Sequence, residues 1–117
     1  MNENAYKNNK TEINRLTVEF CARSCNESLA RSIVSAMAVQ SDPTLDELSD
    51  IVTAVSEAVT NSIIHGYGKS GRSRDQCLIR MECLLYRDAI EVTVTDQGCG
   101  IEDIQKAREP LYTSSPE

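Results

Sequence analysis

The chain has no tryptophan, one phenylalanine and four tyrosines among its 117 residues, so its core must be built from Ile, Val, Leu, Met and Ala. A single histidine leaves no multi-histidine metal site available, and no Ser/His/Asp hydrolase signature is present. Basic residues are outnumbered: 12 Lys and Arg stand against 18 Asp and Glu, and the net charge of −6 argues against the basic face of a nucleic-acid binder. The five cysteines (Cys21, Cys25, Cys77, Cys83 and Cys99) are odd in number and form no C-x-x-C pair. Cys21 and Cys25 have no second ligand pair at zinc spacing, so the cysteines read as small buried or half-buried residues. A long apolar run and a signal-peptide pattern are also lacking, which points to no membrane span and to a reducing, cytoplasmic setting. The phosphate-binding pattern G-x-x-x-x-G-K-[ST] is absent too.

What is there suits one soluble globular domain: 40% of residues are hydrophobic and 26% charged. Residues 1–14 are polar, with little periodicity, and are expected to be a disordered lead-in. Residues 16–20 alternate like a half-buried strand. Ser24 and Glu27 have capping-box spacing, and Leu29, Ile33, Ala36 and Met37 fall on one side of an expected helix over 26–40, with Arg31 and Ser35 opposite. That helix should stop near Ser41-Asp42-Pro43, because proline disfavours helix in the residue before it. Thr44 and Glu47 form a second capping box, and Leu45, Leu48, Val52, Val55, Val59 and Ser62-Ile63 mark a stripe on a helix running to about His65, with Gly66 as its stop. A polar loop over 66–75 leads to strands over 77–85 and 90–95, joined as a hairpin at Arg87-Asp88. Residues 101–109 read as a short helix ended by Pro110, and 111–117 as irregular. The expected fold is a two-layer α/β sandwich with both long helices on one face of a mixed sheet.

Two places could carry chemistry. At about 100° per residue, Asp50, Asn61 and His65 lie about 20°, 40° and 80° from Glu57, whereas Leu48, Val52, Val55 and Val59 lie about 160–220° away. Glu57 and Asn61 thus project opposite the apolar stripe. A solvated helix face accounts for this placement. Ala54 and Ala58 on the same face, with Ile64 close by, suit a lined pocket instead. A carboxylate can take a proton from a hydroxyl or water, and an amide oxygen suits Mg²⁺, which draws its remaining oxygens from phosphate and water. The second place is Asp96-Gln97-Gly98-Cys99-Gly100, either a plain exit turn or a site where Asp96 accepts the amino group of adenine and the glycines let the ligand approach the backbone. Lys69, Arg72 and Arg74 belong either to a solvated loop or to phosphate neutralisation, and His65 either to the helix end or to phosphate.

Together these segments resemble the GHKL, or histidine-kinase-like, ATPase family. Residues Ser56 to Gly66 resemble its N box, and Asp96-Gln97-Gly98-Cys99-Gly100 resembles its first glycine box, D-x-G-x-G, in the same order and at a fitting separation. Residues 26–31, 42–48 and 107–113 are similar to the anti-sigma serine kinases of sporulating bacteria, more so than to the branch serving the general stress response. The resemblance covers about residues 15–117 and implies a role for each matching position. Glu57 would be the catalytic base, Asn61 would hold Mg²⁺ on the ATP phosphates, and Asp96 would read adenine with Gly98 and Gly100 shaping its pocket. Arg31 would lie on the partner-binding surface. It further implies ATP and Mg²⁺ as cofactors, a sigma factor and an anti-anti-sigma protein as partners, and a homodimer.

The family continues through an ATP lid and a second glycine box. The sequence is therefore expected to be a partial domain ending at the start of the lid, with an exposed sheet edge or apolar face and weak ATP binding on its own. A non-catalytic sigma-binding module and an ATPase domain of another regulator are the alternatives to the kinase.

Overall fold

Alternating and helical patterns both reappear in the structure, a computed structural model that describes residues 12–67, 77–96 and 103–110, with 65–67 and 103–110 described by backbone alone. Strand β1 spans Glu12–Cys21, helix α1 Cys25–Ala38 and helix α2 Leu45–Asn61, followed by strands β2 (Leu78–Tyr86), β3 (Ala89–Asp96) and β4 (Asp103–Pro110). A 3-10 turn, Val39–Ser41, closes α1, and a π turn, Ser62–Tyr67, closes α2. β1 begins four residues ahead of the expected strand start, while residues 1–11, the loop residues 68–76 and the tail 111–117 lie outside the described residues.

The four strands form one sheet in the order β1-β2-β3-β4, and every described pair is antiparallel. The two-layer α/β arrangement is therefore as expected, whereas the mixed sheet is corrected to an antiparallel one. The connection explains why. Glu27 meets Thr60 and Ser56, and Arg31 meets Ser56, so α1 and α2 run antiparallel. A chain that leaves β1 through two antiparallel helices returns with its direction reversed, and the β2–β3 hairpin reverses it again. The short helix expected over 101–109 is also corrected: β4 pairs with β3 from Asp96↔Asp103 to Ala89↔Pro110. So short a helix is marginal in water, and pairing satisfies the row of backbone groups on the outer edge of β3. Pro110 is tolerated because it ends an edge strand.

Every second residue of the central strands faces the helices. Ile79, Met81, Cys83 and Leu85 on β2, with Ile90, Val92 and Val94 on β3, are buried there, joined by Phe20 from β1. The other face carries Glu19, Arg80, Glu82, Thr93 and Thr95 together with Leu78, exposed, and Leu84, half-buried, so on β1 to β3 it mixes polar and apolar side chains. Burial lifts the Cys83 thiol to a pKa of about 11.

Two helix stripes differ from expectation. On α1 the buried residues are Ala30, Val34, Met37 and Ala38, so Leu29 and Ala36 face outward. On α2 they are Ile51, Val55, Ala58 and Val59, with Leu48 and Val52 half-buried and Leu45 exposed. Each helix packs on the sheet and on its neighbour, which turns the buried arc away from the line of largest side chains. The Thr44 capping box forms as expected: Thr44 Oγ1 accepts from the Glu47 N–H at 3.1 Å, and Glu47 Oε1 accepts from the Thr44 N–H at 2.8 Å. The Ser24 box does not form, because Ser24 is already helical (φ −56, ψ −35) and makes no side-chain cap. Asn26 Nδ2 instead donates to the Cys21 carbonyl at 2.8 Å. The chain turns between the helices at Asp42, which is left-handed (φ 53), a conformation Asp tolerates better than most residues. Ser41 Oγ ties that turn to the sheet by donating to the Tyr86 carbonyl at 2.9 Å. No helix among the described residues is long and apolar enough to cross a membrane.

Fully buried Ile51 and exposed Leu45 give a paired test of the corrected stripe. In urea unfolding, Ile51→Ala should cost about 2–5 kcal/mol, and Leu45→Ala should stay within about 0.5 kcal/mol.

Candidate functional site

The buried arc of α2 decides what its other side can present. With Ile51, Val55 and Val59 fully buried, Glu57 and Asn61 are both exposed, one turn apart, as the helical projection requires. They line one cleft of about 310 Å³ together with Glu27, Ser56 and Thr60, near the lower end of ligand-pocket sizes. Its walls are carboxylate, hydroxyl and amide. The expected lining by Ala54 and Ala58 is corrected: Ala58 belongs to the core cluster, and neither alanine lines the cleft. Ala58 sits about 100° from Glu57, at the border of the apolar stripe, where packing on the sheet takes it in.

Three of the cleft residues, Glu27, Ser56 and Thr60, are not among the expected site residues, and they are joined by hydrogen bonds. Glu27 reaches from α1 across to α2, where its Oε2 accepts from Ser56 Oγ at 2.6 Å and from Thr60 Oγ1 at 2.7 Å. Arg31 Nη1 lies 3.4 Å from the same oxygen and donates to Ser56 Oγ at 3.4 Å, while its Nη2 donates to Ser28 Oγ at 3.0 Å. The Glu27–Arg31 pair is partly exposed and contributes on the order of 0.5 kcal/mol. Hydrogen bonds from Ser56 first, then Thr60, with the Arg31 charge adding to them, hold the Glu27 carboxyl below its usual range. One signal was available in the sequence: Ser56 and Thr60 are hydroxyls at i and i+4 beside Glu57. Their acceptor was hidden, since the contact exists only once α1 and α2 are packed.

Of the remaining expected site residues, Asp96 and Arg31 are described. Asp96 is the last residue of β3, 1% exposed, and is not among the residues lining the cleft. Gly98 and Gly100, like Lys69, Arg72 and Arg74, lie outside the described residues, and so does the His65 side chain. Arg31 borders the cleft through Glu27 and Ser56 and does not line it. Directly after Asn61 the α-helical ladder gives way to the π turn, an irregularity that recurs at functional sites. Among the described residues no group of three or more His, Cys, Asp or Glu gathers as a metal site. The oxygen donors of the cleft suit a Mg²⁺ ion that takes most of its ligands from phosphate and water.

Comparison with known proteins identifies the family. The family pattern described as the histidine kinase-like ATPase domain matches residues 20–117. Among the most similar relatives is the anti-sigma F factor of Clostridium beijerinckii, 48% identical over 104 residues, with 89% of this chain and 70% of that protein covered. The anti-sigma F factor of Oceanobacillus iheyensis is 51% identical over 104 residues, covering 89% of this chain and 68% of its own length. That of Clostridium perfringens is 52% identical over 104 residues, covering 89% and 71%.

The depressed Glu27 carboxyl has a pH consequence. A group whose folded pKa lies below its unfolded value, about 4.3 for Glu, stabilises the fold above that value and loses the contribution as pH falls through the folded pKa. In urea unfolding between about pH 3 and 6, wild type should lose stability on acidification more steeply than Glu27→Gln. Parallel pH profiles would contradict this assignment.

Proposed function

The chain belongs to the histidine kinase-like ATPase domain family and groups within it with the anti-sigma F factors, and from that premise we propose that it is an anti-sigma factor and an ATP-dependent serine kinase. It sequesters a sporulation sigma factor and phosphorylates the anti-anti-sigma protein that opposes it. One observation carries the reading: Glu57 and Asn61 stand one turn apart on the open wall of a single cleft.

In the transfer step Glu57 accepts the proton of the target serine hydroxyl as the serine oxygen bonds to the γ-phosphorus of ATP. The bond from that phosphorus to the bridging oxygen breaks, and ADP leaves with the electron pair. The Asn61 amide oxygen would hold Mg²⁺ on the phosphates, and the ion would supply neutralisation of their charge. Asp96 accepts the exocyclic amino group of adenine, and Gly98 and Gly100 let the base lie close to the backbone. Arg31 belongs to the surface that meets the protein partners. Resemblance to the family supports the homodimer and the cytoplasmic setting.

The test is phosphate transfer from ATP to a candidate anti-anti-sigma protein by the full-length protein. Glu57→Ala should slow transfer by about 100- to 10,000-fold, the usual contribution of a positioned base. Asn61→Ala should lose Mg²⁺-dependent ATP affinity. Unchanged transfer in both variants would overturn the role assignment.

A further inference from the structure

Glu27 belongs to α1, yet it lines the same cleft as Glu57 and Asn61 on α2. One of its oxygens accepts two hydroxyl hydrogen bonds, from Ser56 at 2.6 Å and Thr60 at 2.7 Å. Each of those residues immediately precedes one of the pair: Ser56 precedes Glu57, and Thr60 precedes Asn61. Around the helix the two hydroxyls lie about 100° and about 60° to one side of Glu57, and the apolar stripe lies beyond them.

α2 is therefore held from two directions. Ile51, Val55 and Val59 fix it against the protein core, and the Glu27 bonds fix its roll from the α1 side. The lever is short but sufficient. A side-chain tip about 5–6 Å from the helix axis moves about 1 Å when the helix rolls by about 10°, and a misplacement of about 1 Å at a reacting group can cost on the order of 100-fold in rate. Thr60 lies one residue before the end of the α-helical ladder at Asn61, so its bond holds the segment that leads into the π turn. Arg31 completes the network by donating to Ser56 while lying beside the Glu27 carboxylate.

We propose that Glu27 is the positioning residue for Glu57, setting the roll of α2 by accepting the Ser56 and Thr60 hydroxyls. This rests on the phosphoryl-transfer reading above. Glu27 touches neither ATP nor the target serine in this role, and its effect passes through the helix.

Steady-state transfer by the full-length protein, with MgATP and the anti-anti-sigma substrate, tests it. Glu27→Ala should lower kcat about tenfold or more with KM for ATP within about twofold, because the lost contacts act on the transition state through Glu57. Glu27→Gln keeps an oxygen that accepts both hydroxyls and should recover kcat to within about threefold of wild type, a rescue that general loss of packing does not predict. The double variant Ser56→Ala/Thr60→Val should match Glu27→Ala, and combining all three should add little, as for groups that act through one contact. Wild-type kcat in Glu27→Ala, beside an impaired Glu57→Ala, overturns this inference and leaves the kinase reading standing. Should Glu27→Ala fail to fold, full kcat in the double variant overturns it equally. A wild-type protein that transfers no phosphate overturns both.

Discussion

The site depends on how α2 is seated. Ile51, Val55 and Val59 are completely buried, and each stabilises the fold by about 1.5–3 kcal/mol relative to exposure. Once that arc is committed to the core, Glu57 and Asn61 must face outward, and the roll that remains is set from the α1 side. The helix is also tied at both ends. The Thr44–Glu47 capping box fixes its start, and Glu27 grips it near its end through Ser56 and Thr60. The antiparallel sheet beneath supplies the surface on which the seating is decided.

Charge shapes the cleft next. Glu27 and Glu57 both line it, in a chain of net charge −6. Such a wall repels phosphate unless a cation intervenes. That makes a hard metal ion, together with local cations and backbone N–H groups, a physical requirement of the phosphoryl-transfer reading. Glu27 is the less available of the two carboxylates, because one of its oxygens is already engaged by two hydroxyls and faced by Arg31. Glu57 is exposed and open to the cleft. The two acids therefore divide their work, one holding the helix and one facing the ligand.

Much of this was legible in the residues. The hairpin strands, the break at Asp42-Pro43, the second capping box and the outward face of Glu57 and Asn61 all follow from local periodicity and capping chemistry. What sequence could not give is what depends on packing. The α1 stripe shifted from Leu29 and Ala36 to Ala30 and Val34, since small residues let helix and sheet approach closely. The Ser24 capping box failed because Ser24 is itself helical, and Glu27, its intended partner, bonds to α2 instead. Residues 103–110 became a strand because an unpaired β3 edge outweighs the weak helical preference of a short polar segment. The Glu27–Ser56–Thr60 contact spans about thirty positions of sequence, beyond the reach of any local pattern.

Amide chemical shifts of the full-length protein, followed by NMR as MgATP is added, test the central claim most directly. The account predicts that the largest perturbations gather on residues 56–61 of α2 and at Asp96, at the two ends of one bound nucleotide. Saturable ATP binding that leaves those amides unmoved and perturbs another surface would contradict it.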